Sequence, residues 1–156
     1  MPHIHEKIDF CAEVFIVFED KVLLRKHDKY KIWLSVGGHI ELDEDPNQAA
    51  VREVKEEVGL DIELFVPSHL EDFVGTDSGD LIPPFFLNRH KISETHEHIA
   101  LIYVASTKSD KLELCEVEKS AGCKWFTRAE LDDVSYAITP TVKRYAQEAL
   151  RVFGHK

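Results

Sequence analysis

The apolar run from Phe10 to Phe18 is followed by the polar pair Glu19-Asp20 and then by Lys21 to Lys26. That pattern predicts a β-hairpin. Trp33 to Val36 predicts another strand, ending at the Gly37-Gly38 pair, and Ile62 to Val66 and Pro84 to Asn88 predict two more. Ile99 to Ala105 holds seven consecutive apolar residues. It is too short for a long helix and rich enough in Ile, Val and Tyr to read as a buried strand. Gly122 to Phe126 supplies the last strand.

Helices announce themselves by their punctuation. Asp45-Pro46-Asn47-Gln48 puts an acid at the N-cap, proline at N1 and glutamine at N3, and Gly59 makes the stop. A second helix starting near Pro140 lines up Val142, Tyr145, Ala146, Ala149 and Phe153 on one stripe. Between them, Thr127 and Glu130 form another capping box, with Phe126 and Leu131 placed as a hydrophobic staple and a short helix over Arg128 to Val134. Strands interrupted by two principal helices predict an α/β fold with a mixed sheet covered on both faces. No repeat or long linker divides the chain, so one domain runs from about Ile8 to Phe153. Asp72 to Glu97 is the least regular stretch, either a surface excursion or a loop that shapes a pocket.

Composition narrows the class. With 156 residues, 44% hydrophobic and 31% charged, the chain can bury a sizeable core without staples. A net charge of -10 argues against a broad basic face for duplex DNA or an anionic membrane, but leaves room for a small phosphorylated substrate if something else supplies positive charge. Cys11, Cys115 and Cys123 form no CxxC pair, which disfavours a disulfide scaffold. The charged start lacks an apolar segment behind it, and no stretch reaches the length of a membrane span; a cytoplasmic protein is the expectation. A homodimer is permitted and no motif requires one.

The helix over Pro46 to Val58 carries the chemistry. Glu53, Glu56 and Glu57 share an arc of about 100° bordering the apolar face made by Ala50, Val51, Val54 and Val58. Like charges at i,i+4 cost roughly 0.2–0.5 kcal/mol when exposed, and a shared divalent cation reverses that sign. A solvated acidic face is the alternative. Clustered oxygen ligands suit Mg²⁺ or Mn²⁺, while the lack of neighbouring Cys or His disfavours zinc. Gly37-Gly38 either makes a tight turn or lets backbone approach the same place with the Gly37 carbonyl as a hard ligand; Glu44 adds a carboxylate at the helix entrance, and Arg52 either orients one of the acids or makes a surface ion pair.

Gly38 to Leu60 reads GHIELDEDPNQAAVREVKEEVGL. This resembles the Nudix box, and every signature position is present: Gly38, Glu44, Arg52, Glu53, Val54, Glu56, Glu57, Gly59 and Leu60. The resemblance implies a MutT-like Nudix domain over 1–156, with its box at 38–60 and an α/β/α sandwich. It further implies metal ligation by Glu53, Glu56, Glu57 and the Gly37 carbonyl, with Glu44 lesser, and a positioning role for Arg52. The implied reaction is hydrolysis, dependent on Mg²⁺ or Mn²⁺, of a diphosphate linkage in a nucleoside diphosphate attached to another moiety or in a chemically similar compound. A catalytically weak Nudix fold that binds a nucleotide or a protein is the rival. Val36 stands where the family often has proline and Asp43 where it often has glycine; neither removes a ligand.

Outside the box, Glu97 is a candidate general base, with Glu56 and Glu57 as competitors. Alternation along His96-Glu97-His98 sends the two histidines to one face and Glu97 to the other. The two histidines lack a visible third metal ligand. His39 is either a phosphate contact or a loop residue, and Phe73, Phe85 and Phe86 are either stacking partners for the substrate or core.

Overall fold

The computed structural model describes residues 7–75, 79–114 and 122–153. Cys115 and the charged start at 1–6 lie outside them. In chain order the elements are β1 (Ile8–Phe18), β2 (Lys21–Lys26), β3 (Trp33–Leu34), β4 (Val36–His39), α1 (Pro46–Val58), β5 (Ile62–Leu64), β6 (Phe86–Lys91), β7 (Glu97–Thr107), β8 (Cys123–Thr127), α2 (Arg128–Asp132) and α3 (Pro140–Phe153), with short 3₁₀ turns at Ser68–Leu70 and Val134–Tyr136.

The two longest apolar runs become the two central strands. β1 and β7 pair in parallel from Ile8↔Glu97 to Val17↔Ser106, and every other ladder is antiparallel. The outer edge of β1 is shared: its first half pairs with β4 and its second half with β2. β7 is shared the same way by β6 and β5. Alternation then makes two cores. Ala12, Val14, Ile16, Val36, Tyr103 and Ala105 meet Ala50, Val54 and Val58 of α1. Phe15, Val17, Leu24, Ala100, Ile102, Val104 and Phe126 meet Val142, Tyr145, Ala146 and Ala149 of α3. The result is a mixed sheet between helices. No helix among the described residues is long and apolar enough to cross a membrane.

α1 runs over the expected residues because its ends are specified locally. The Asp45 side chain accepts from the N–H groups of Asn47 and Gln48, and Gly59 closes the helix with φ 74°, a left-handed conformation natural to glycine. Elsewhere the structure departs from the reading of the sequence. The Gly37-Gly38 pair, expected at a strand end, lies inside β4, since β1 supplies a partner along its whole length. β6 starts two residues later than expected and extends to Lys91, with each of its six residues paired to β7. The short helix ends at Asp132, where Asp133 accepts from the Ser135 N–H and starts the 3₁₀ turn.

The α2 cap has a readable pH dependence. Glu130 accepts from Thr127 and from Lys124 Nζ at 2.7 Å, and the Lys124 bond leads in lowering its carboxyl from 4.5 to about 2. A depressed acid contributes stability above its unfolded value and loses it as pH falls through the folded one. The difference in Tm between the wild type and Glu130→Gln should therefore be largest above pH 5 and shrink between pH 4.5 and 2 in thermal melts; a difference independent of pH would contradict this cap.

Candidate active site

α1 presents its acids from the edge of its packed face, so two of the three are buried. Glu53 is 5% exposed and Glu57 6%, whereas the Glu56 side chain is 62% exposed. β4 receives the buried pair. A Cβ on Gly38 would stand 2.6 Å from the Glu53 carboxylate, so only glycine lets the acid lie against the strand there. Glu57 Oε2 accepts from the Gly37 N–H at 3.1 Å. The Gly37-Gly38 pair is therefore the floor of the acidic site.

Arg52 ties the remaining parts together. Nε and Nη2 donate to the two oxygens of Glu44 at 2.9 and 2.6 Å, a bidentate fork. Nη1 donates to Glu53 at 2.8 Å and Glu56 at 3.0 Å, and Nη2 also reaches the His39 carbonyl at 3.0 Å. Glu44 in turn accepts from the Glu41 N–H at 2.9 Å. The Arg52 bond leads in holding the Glu44 carboxyl below its ordinary value, and Glu44 leads in raising Arg52. One guanidinium thus sets the loop before α1, the start of the box and two of its acids.

Arg25 is a site residue that the reading of the sequence missed. Its Nη2 lies 3.5 Å from Glu57 Oε1, and its buried Nε meets no acceptor among the described residues. A lone arginine closing the run Val22-Leu23-Leu24 was the available signal. Beside the acids, an open cleft of about 840 Å³ is lined by Val51, Arg52, Lys55 and Glu56 from α1 and by Val74, Leu81 and Ile82 from the irregular stretch. Asn47 pins that stretch by a reciprocal pair with the Ile82 backbone, donating at 2.9 Å and accepting at 2.8 Å.

Other candidates stand apart from the carboxylates. Glu97 accepts from Arg89 Nε at 2.6 Å. Gly38 pairs with Ala12, which pairs with Leu101, so Glu97 begins four residues, about 13 Å, along β7 from the box. The His39 ring turns away from α1, with Nε2 3.5 Å from Asp9 Oδ2. Phe86 stacks on Tyr145 with centroids 4.4 Å apart, and Phe85 meets Phe65 at 5.9 Å, so both pack around the α3 core. Phe73 is 63% exposed.

Among the described residues, two groups bring three metal-ligating atoms within 4.8 Å of one another: Cys11, His39 and His98, and Asp9, His96 and His98. The three box carboxylates make no such group: Glu53 and Glu56 share Arg52 Nη1, while Glu57 accepts from the Gly37 N–H. Burial, with the charges of Glu13 and Asp9, pushes the Cys11 thiol up to about 12. Burial, with the neighbouring His39, His90 and His96, pushes His98 down to about 4.

The NUDIX domain family matches residues 11–147. The chain therefore belongs to the Nudix hydrolase family. It is 30% identical over 114 residues to a probable DHNTP pyrophosphohydrolase of Lactococcus lactis subsp. cremoris, spanning 73% of this chain and 63% of that protein's length. It is 33% identical over 98 residues to a CTP pyrophosphohydrolase of Escherichia coli, spanning 54% of this chain and 67% of the relative. Its fold superposes on a crystal structure of a NUDIX-family hydrolase from Clostridium perfringens with a TM-score of 0.81 at 35% identity, covering 92% of this chain and 97% of that one.

Removing Arg52 unties three carboxylates at once. Arg52→Ala should lower the free energy of unfolding by about 1.5–3 kcal/mol, the range for hydrogen bonds to charged groups. Arg52→Lys should recover only part, because a point charge cannot reproduce the fork on Glu44. Urea denaturation reads both, and an unchanged midpoint in Arg52→Ala would remove the residue from its organising role.

Proposed function

We propose that this chain hydrolyses a diphosphate linkage in a nucleoside diphosphate attached to another moiety. A nucleoside triphosphate is the case in which that moiety is phosphate. What carries this is the burial of Glu53 and Glu57 against Gly37 and Gly38, with Arg52 holding Glu44, Glu53 and Glu56. The names of the two relatives, one for a DHNTP and one for a CTP pyrophosphohydrolase, favour a triphosphate carried by a nitrogen heterocycle.

Glu53, Glu56 and Glu57, with the Gly37 carbonyl, would hold the divalent ion. An all-oxygen donor set of mostly carboxylates fits Mg²⁺ or Mn²⁺ and offers no soft ligand. When bound, such an ion neutralises phosphate charge and lowers the pKa of water. The protein's own residues do the rest. Arg52 aims Glu53 and Glu56 by its hydrogen bonds. Arg25, a cation beside Glu57, adds positive charge next to the acids. The cleft beside Glu56, with Val51, Leu81 and Ile82 on its walls, would take the group attached to the phosphates.

For the proton of the attacking water, a box carboxylate is favoured over Glu97, which is paired with Arg89 and stands about 13 Å along its strand from the box. Glu57→Gln should lower kcat by about 10²-fold or more, while Glu97→Gln should stay within a few-fold of the wild type at saturating substrate. Equal losses in the two variants would move the base to Glu97.

The reaction itself is tested by incubating CTP, other nucleoside triphosphates, pterin triphosphates and nucleotide sugars with the protein and Mg²⁺ in ¹⁸O-water. Mass spectrometry should find the label in one phosphate fragment of at least one substrate. Failure to turn over any of these compounds, despite divalent-ion binding, would support the binding-module alternative.

A further inference from the structure

β4 has two faces, and the second carries a different set of ligands. Val36 and Gly38 look toward α1; His39 looks the other way, where the register sets it beside Cys11 of β1. The parallel ladder sets Asp9 beside His98 of β7, and His96 reaches the same place from just before that strand. Cys11 Sγ lies 3.5 Å from His98 Nδ1. Asp9 Oδ2 lies 3.2 Å from His96 Nε2 and 3.5 Å from His39 Nε2. The His39 and His96 rings stand 5.0 and 5.1 Å from that of His98.

The Cys11–His98 spacing is that of two ligands in one metal shell, and a ligand atom of His39 lies within 4.8 Å of both. Zinc bonds of about 2.3 Å to sulfur and about 2.0–2.1 Å to nitrogen or oxygen, arranged tetrahedrally, separate neighbouring ligand atoms by about 3.3–3.6 Å. Asp9, Cys11 and His96 are buried, and His39 and His98 half-buried. Asp9 is 2% exposed, Cys11 4% and His96 8%, and the Nε2 atoms of His39, His96 and His98 are all buried. Five polar side chains crowded beside an apolar core are costly to desolvate unless charge and coordination compensate. Thiolate and imidazole select a zinc-class ion over Mg²⁺.

We propose that Cys11, His39 and His98 bind one zinc-class ion, with Asp9 orienting His39 and His96 alongside, the carboxylate–histidine–metal arrangement of many zinc sites. The three protein ligands leave the fourth position to a water molecule, His39 and His98 being half-buried. His39 directly follows the Gly37-Gly38 floor and gives its carbonyl to Arg52, so the ion would brace the strand on which the acidic site is built. Sequence spacing hid this site. His96 and His98 show no third ligand along the chain, and only the register of β1 with β4 and β7 provides one.

The test is titration of Co²⁺ into the untagged, chelator-stripped full chain at saturating Mg²⁺. One equivalent should bind, giving the visible spectrum of a tetrahedral site and a near-ultraviolet thiolate-to-cobalt band, and Zn²⁺ should displace it. Cys11→Ser should remove the ultraviolet band. His98→Gln should weaken Co²⁺ binding by more than the roughly 10–100-fold typical of losing an outer partner, with the metal-free circular dichroism unchanged. The double variant Glu53→Gln/Glu57→Gln should bind Co²⁺ as the wild type does, which separates this site from the proposed catalytic one. Zn²⁺ should also raise the Tm of the wild type and not that of Cys11→Ser. Absence of stoichiometric binding, or a cobalt spectrum indifferent to Cys11→Ser and His98→Gln, would overturn the proposal.

Discussion

Two carboxyl side chains, Glu53 and Glu57, are buried against the sheet. An ion moved out of water costs several kcal/mol even after relaxation, so the surroundings have to compensate. They do so from three directions: the Arg52 fork, the Gly37 N–H and the Arg25 guanidinium. Each compensating group constrains something else. Arg52 fixes the Glu44 loop, the Gly37 N–H fixes α1 against β4, and Gly38 gives up a side chain so that Glu53 fits. The box of this chain is thus a solution to one electrostatic problem.

β4 links that solution to the rest of the sheet. Its four residues alternate between the acidic site on one face and the Asp9-Cys11-His39-His98 cluster on the other. His39 belongs to both, by its carbonyl to Arg52 and by its ring to Asp9. A change in the position of the strand is therefore felt on both faces. Hard oxygen donors stand on one side and soft or borderline donors on the other, so the two faces suit different cations.

Legibility in the sequence followed the range of the interactions. α1 could be read to its ends because Asp45, Gln48 and Gly59 act within a turn. The acidic stripe was readable because it lies on one helix. β4 was not, because a Gly-Gly pair has no strand signature and its pairing depends on β1, two dozen residues earlier. β6 was displaced because Pro83 and Pro84 draw attention to the loop, while Arg89, His90 and Lys91 hide the alternation that the ladder to β7 enforces. Phe85 and Phe86 have the same chemistry whether they stack on a base or on Tyr145, and only packing separates the two. Arg25 and the histidine cluster depend on strand register, which no local pattern encodes.

In the function proposed above, the buried acids on Gly37-Gly38 hold a divalent cation. Titrating Mn²⁺ and following the electron paramagnetic resonance of the free aqua ion measures this directly. The wild type should take up Mn²⁺ in stoichiometric amounts, in competition with Mg²⁺, and Glu53→Gln/Glu57→Gln should leave the ion free in solution while remaining folded. Undiminished uptake by the folded double variant would contradict the account.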